Sequence, residues 1–198
     1  MYSSPDSALS LLDSIDPAAL HGERRRALHA LLLSQAMDKN HIDTDNDSLI
    51  NIAIDYYADT DDDPYRLMLA RYYRGRILLN AHRYAEALVS LLEAEALGKR
   101  LGDDYNLGLI YRNISQIYLD ILNGPESIRY AKLSLRHFTK TGLTNYIQYA
   151  YYDLGLAYND AEFYDSSIVI CDSVVKIARA SGCLLYTSPS PRDGATSR

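Results

Sequence analysis

The feature that most constrains this chain is a repeat of 40 residues. Small side chains stand at Gly75, Ser115 and Gly155, and again at Ala87, Ser127 and Ser167. Leu88, Ile128 and Ile168 keep the same spacing, as do Gly102, Gly142 and Gly182. Columns that share one period across independent residue types describe a single structural unit, stacked on copies of itself. A unit this short cannot enclose a core alone, so the fold must be an array in which neighbours bury one another.

Inside each unit the apolar residues recur at helical spacing. Ile110, Ile114, Ile117 and Ile121 line one face, and Ile128, Ala131 and Leu135 line a second, which predicts two helices per unit. Asp63 ahead of Pro64, Asp103 or Asp104, and Thr144 are placed to accept bonds from the free amides of a first turn. The glycines at 102, 142 and 182 are placed to close helices in the left-handed conformation. The breaks at Asn80 to Arg83, Asn123 to Pro125 and Asn159 to Glu162 are so short that the paired helices must run antiparallel. Small residues in the shared columns let two helices cross closely, where a bulky side chain would force them apart. Cys171 falls on the second-helix packing column, which predicts a small buried hydrophobe.

These residues resemble the tetratricopeptide repeat family. Its signature is an aromatic residue, a large apolar residue followed by a small one, then Tyr, and in the second helix a small residue and a bulkier one. The third unit reads Tyr151, Leu154, Gly155, Tyr158, Ser167 and Cys171, and the second reads Tyr111, Ile114, Ser115, Tyr118, Ser127 and Ala131. In the first unit Arg71 and Arg74 replace the aromatic and apolar residues, while Gly75, Leu78, Tyr84, Ala87 and Leu91 agree. The resemblance implies an all-α fold, a right-handed α-solenoid of antiparallel helical hairpins, with three units at 63–102, 103–142 and 143–182. The period of 40 exceeds the family's usual length of about 34, and the extra residues read as an added turn on the second helix.

Residues 1–62 read as an N-terminal helix and a degenerate hairpin. The hairpin carries Ala27, Leu28, Leu31 and Leu32 on one helix and Leu49, Ile50, Ala53 and Ile54 on the next. Residues 5–15 form the single amphipathic helix, started by Ser4 and Pro5. It is either a capping helix of the array or the remnant of an upstream hairpin, with Met1 an internal methionine. Residues 183–198 break from the helical pattern, and their core CLLYTSPSPRD reads as translated adapter from a transposon-based sequencing library. They are expected to be a non-native tail and are set apart from functional reasoning.

Composition narrows the function classes. A formal net charge of -6 argues against nucleic acid and anionic membrane as partners. No apolar run reaches the roughly 18 residues that span a bilayer. Eighteen Tyr against two Phe and no Trp suit half-buried helix faces, where a ring packs and its hydroxyl meets a polar partner. Asp43, Asp45 and Asp47 mimic the opening of a calcium loop, but Ser48 and Ile54 stand where the turn glycine and the bidentate Glu belong. Asp47 reads instead as a helix cap. The acidic run Asp59, Asp61, Asp62 and Asp63 reads as a solvated loop. Histidines 21, 29, 41, 82 and 137 show no metal-binding pair, which leaves them surface or loop roles. No phosphate loop, nucleophile or cofactor motif stands out, so the chain reads as a scaffold with no cofactor rather than an enzyme. Its cellular location stays open.

What remains for function is a groove. The family resemblance puts the first helix of each hairpin on the concave face, and so points to Tyr72, Arg76 and Asn80, then Arg112, Gln116 and Asp120, then Tyr152, Leu156 and Asn159 or Asp160. Tyr, Arg and Asn bind peptides well because they join stiff apolar area to directional donors. Arg112, Asn113 and Gln116 faintly resemble a clamp for a C-terminal carboxylate, which Asp153 would oppose. The leading expectation is a protein or peptide partner held in this groove. The Tyr-rich units and the opening SPDSALSLLDSI are similar to large tetratricopeptide regulatory or sensor proteins of Bacteroidota-like bacteria. A docking region for an enzyme, and an array that associates with itself, are the competing readings.

Overall fold

The structure, a computed structural model, describes residues 5–60 and 63–180. It contains α1 (Pro5–Asp13), α2 (Glu23–Lys39), α3 (Ser48–Thr60), α4 (Pro64–Asn80), α5 (Tyr84–Leu101), α6 (Asp104–Asp120), α7 (Gly124–Thr141), α8 (Thr144–Asp160) and α9 (Tyr164–Ala180). A short 3-10 turn at Pro17–Ala19 follows α1. Among the described residues there is no strand, and the fold is an all-α solenoid. First helices begin at positions 64, 104 and 144, and second helices at 84, 124 and 164, so the period read from the sequence is also the period of the helices.

Helix starts follow the capping chemistry at two of the three expected places. Asp63 accepts from the Arg66 amide at 2.9 Å and Asp103 from the Asn106 amide at 3.0 Å. Thr144 is the first residue of α8 and Leu143 is its cap, with no side-chain bond to the first turn. The Thr141 hydroxyl accepts the Leu143 amide at 3.2 Å, and that bond sets the entry of the chain one residue earlier. Gly102 and Gly142 close α5 and α7 at φ of 67° and 69°, in the conformation that glycine adopts without a Cβ clash. Gly182 and Ser4 lie outside the described residues, as does the tail 183–198.

First and second helices have nearly equal lengths, 17 and 18 residues in the two middle hairpins. The extra length is therefore not confined to the second helix. An antiparallel pair buries most surface when its two members end together, and a turn added to one alone would hang free.

The core forms two clusters, a large one from α2 to α7 and a smaller one where α7 meets α8. Gly75 sits so close to α5 that a Cβ there would lie 2.6 Å from Leu91 Cγ. In the next hairpin Ser115 Oγ donates to the Ser127 carbonyl at 2.9 Å, and Ser127 Oγ donates back to the Ser115 carbonyl at 3.2 Å. Ser167 Oγ repeats this toward the Gly155 carbonyl at 3.0 Å. Small columns thus serve close approach, and their hydroxyls satisfy helix carbonyls that the approach has cut off from water. Between α6, α7 and α8 the aromatic residues meet: Tyr118 stacks on Tyr130, Phe138 stacks on Tyr146, and the Tyr105 hydroxyl donates to that of Tyr146 at 2.8 Å.

The N-terminal part follows the same plan with less regularity. Ala27 and Leu31 of α2 pack with Ile50, Ala53 and Ile54 of α3 in the main core. α1 runs antiparallel to α2, where Asn40 Nδ2 donates to the Pro5 carbonyl at 3.0 Å. His29 is buried, with Nε2 2.9 Å from the Leu12 carbonyl. That corrects the expected surface role, because α1 covers this side of α2.

Successive first helices touch one another, α2 with α4, α4 with α6 and α6 with α8, while successive second helices form no comparable contact. An array whose first helices lie closer together than its second helices bends toward the first-helix side. The groove expected from the family resemblance has this side as its floor.

Candidate partner-binding groove

The residues expected to line the groove fall into three groups. Arg76, Asn80, Arg112 and Gln116 come together around a cavity of about 390 Å³ between α4 and α6. Tyr152 and Asn159 are exposed further along the first-helix side, on α8. Tyr72 is not a groove surface at all. It is 5% exposed, its hydroxyl lies 3.4 Å from Asn113 Nδ2, and burial pushes its phenol up to about 12. The column is groove-facing in principle, but α6 closes over it in this hairpin.

The two arginines are held by carboxylates from neighbouring elements. Arg76 Nε and Nη2 meet Asp38 Oδ1 of α2 at 2.8 and 2.7 Å, and its Nη1 reaches Asn113 Oδ1 of α6 at 3.3 Å. One guanidinium thereby ties three first helices together. Burial works against its charge, yet Tyr72 and Asp38 outweigh burial and its pKa is raised. Arg112 Nε meets Asp153 Oδ2 of α8 at 2.5 Å, and its guanidinium lies over the Tyr149 ring. Asp153 was expected to oppose an anion clamp, and it occupies the arginine directly.

The amide side chains point at acids on the opposite wall or one turn on. Asn80 Nδ2 donates to Asp43 Oδ1 and Gln116 Nε2 to Asp120 Oδ1, each at 2.6 Å. A second cavity of about 300 Å³ adjoins the first and shares Arg76 and Asn80 with it. Its walls are mostly apolar, with Met37, Ile42, Leu49 and Ile77 among them.

This second compartment was missed by sequence reasoning. Its wall is the connector 40–47 between α2 and α3, longer than the three-residue connectors 81–83, 121–123 and 161–163. The unequal length was the available signal. The same connector carries the aspartates that mimic a calcium loop. In the fold Asp43 meets Asn80, and Asp47 meets Arg74 Nε at 2.9 Å and Arg83 Nη1 at 3.6 Å. Asp47 does hold the cap position of α3, since its carbonyl accepts the Asn51 amide at 3.1 Å, but its carboxylate braces α4. Burial raises the Asp47 carboxyl, yet the Arg74 bond and charge outweigh it and hold it below the ordinary carboxylate value.

Cys171 is exposed, contrary to the buried role expected from its column. Its sulfur lies against Gly155, but no described helix packs over the far side of α9. Of the acidic run, Asp61 and Asp62 lie outside the described residues, and Asp63 is the α4 cap. No helix among the described residues is long and apolar enough to cross a membrane.

No protein-family model matches the sequence, and no curated protein matches it. Solved structures do. BtubC (BKLC) from P. vanneervenii superposes with a TM-score of 0.70 at 14% identity, over 100% of this chain and 78% of that one. Kinesin-light-chain TPR-like repeats from Podosopora anserina give 0.70 at 15% identity, over 91% of this chain and 90% of that one. The apo form of RapI gives 0.71 at 15% identity, over 91% and 64%. The chain therefore has the fold of TPR-like repeat solenoids. Identity this low speaks to architecture and leaves the groove chemistry to be argued from the side chains themselves.

Proposed function

We propose that this chain is a protein-interaction scaffold that holds a segment of a partner protein along its first-helix side. The observation that carries the reading is the convergence of Arg76, Asn80, Arg112 and Gln116 on one cavity. Repeat arrays use such grooves because each unit adds a strip of contact surface without needing a core of its own. Exposed Tyr152 and Leu156 on α8 extend the strip with apolar area. The similarity of its Tyr-rich units to large regulatory and sensor proteins of Bacteroidota-like bacteria supports placing the array within a longer regulatory protein.

Site-specific photo-crosslinking tests the reading. A photoreactive residue at Gln116, on the groove, is expected to trap partner protein, while the same residue at Arg136, exposed on α7, traps none. The combined change Asn80→Ala, Arg112→Ala and Tyr152→Ala should abolish the Gln116 adduct. Equal trapping from both faces would defeat the proposal.

A further inference from the structure

The two joined cavities have a definite chemical polarity. Both arginines around them are already neutralised, Arg76 by Asp38 and Arg112 by Asp153. Asp43 and Asp120, which line the larger cavity, have only neutral partners: the Asn80 amide for the first, and the Gln116 amide and Tyr84 hydroxyl for the second. Among the described residues no lysine or arginine lies within ion-pair distance of either. Four carboxylates thus stand around or behind this space against two guanidiniums. An incoming anion would have to displace Asp38 or Asp153, whereas an incoming cation finds two carboxylates still without a counter-charge.

The adjoining compartment is different in kind. Ile42, 43% exposed, faces Met37, Leu49 and Ile77 across it. Ser34 in its wall is 5% exposed, and its Oγ has no hydrogen-bond partner among the described residues. Buried polar atoms left unpaired are uncommon, and a polar ligand atom entering the compartment would make this one good. Arg76 and Asn80 belong to both cavities, so one ligand can occupy the two at once.

We infer that the groove selects an extended peptide segment carrying a cationic side chain next to an apolar one, with Lys or Arg between Asp43 and Asp120 and the apolar residue against Ile42, Leu49 and Ile77. The inference rests on the partner-binding reading of this face and adds the sign and order of the chemistry it recognises. Charge complementarity of this kind fixes which partners are accepted and speeds their approach.

Fluorescence anisotropy with blocked peptides tests it on the full chain. The probe is acetyl-Gly-Lys-Leu-Lys-Leu-Gly-amide, compared with versions that carry Glu for Lys or Ser for Leu. The Lys-Leu probe is expected to bind at least about tenfold more tightly than either, and raised salt should weaken it. Asp43→Asn with Asp120→Asn should erase the preference for Lys over Glu while leaving the thermal midpoint in place, since both carboxylates are exposed. Leu49→Ser should erase the preference for Leu over Ser. Equal or tighter binding of the Glu probe, or a Lys preference that survives the double change, overturns the inference. So does failure of every probe to bind. In each of those cases the Gln116 cross-linking experiment still decides separately whether the groove holds a partner.

Discussion

Ile128 and Ile168 are the same residue in the same column, yet Ile128 is 8% exposed and Ile168 is 61%. Ala131 is 1% exposed, while Cys171 in the same place is exposed. Tyr72 and Tyr152 part in the same way, at 5% and 58%. The difference lies in what stands beside each hairpin. α6 and α7 have a hairpin on either side, whereas α9 is packed only by α8 among the described residues. Burial in a stacked array is a property of position as much as of residue type, and local stability should follow.

The largest effect expected from that difference is at the isoleucines. Ile128→Ala should cost about 2–4 kcal/mol and Ile168→Ala less than about 1 kcal/mol, measured by urea unfolding, because only the first leaves a cavity. Equal losses would break the comparison. At the small column the contrast changes sign. Gly75→Ala drives a Cβ to 2.6 Å from Leu91 and should cost about 1–3 kcal/mol. At Gly155 the added Cβ would meet Ile170 and Cys171 at 3.5 and 3.6 Å, ordinary contact, so Gly155→Ala should gain up to about 1 kcal/mol of helix propensity. Gly155→Leu, damaging on the sequence alone, should therefore cost less than Gly75→Leu, which thermal midpoints of the two variants would decide.

Asp47 gives a smaller effect with a pH signature. Its folded pKa lies below the ordinary value of 3.8, so its contribution is complete above the unfolded pKa and is lost as pH falls through the folded one. Asp47→Asn should lower the midpoint by a few degrees at neutral pH, and the gap to the unaltered protein should close as acidification protonates the carboxyl. A gap that persists in acid would mean that the carboxylate's charge is not what braces α4. The smallest effect is at Leu122, 80% exposed with φ of 58°. Leu122→Gly should stabilise by roughly 0.5–1 kcal/mol by relieving the left-handed strain, and an unchanged midpoint would count against that strain.

Sequence periodicity carried the helices, their pairing and their order, because capping side chains and small columns act locally and repeat. Asp63, Asp103, Gly102 and Gly142 do in the fold what their types predict. The positions of the first-helix breaks were legible, but their left-handed closures were not. His41, His82, Leu122 and Glu162 take φ of 55° to 63° without a glycine to announce it. There the next amide bonds back five residues, as Arg83 N does to the Leu78 carbonyl at 2.9 Å, and this closes the helix whatever residue occupies the strained position. The site was legible in part. Arg76 and Asn80 on α4 and Arg112 and Gln116 on α6 stand at equivalent places one repeat apart, and the family resemblance pointed to that first-helix face. That Tyr72 is roofed by Asn113, and that the 40–47 connector builds an apolar compartment, depend on contacts between units that no single repeat encodes.

Native-state hydrogen exchange, resolved by helix, tests the central claim most directly. Amides of α6 and α7 should be the slowest to exchange, and those of α9 the fastest among the second helices, by about tenfold or more. Uniform protection from α4 to α9, or an α9 slower than α7, would contradict the account in which flanking hairpins set the stability of each unit.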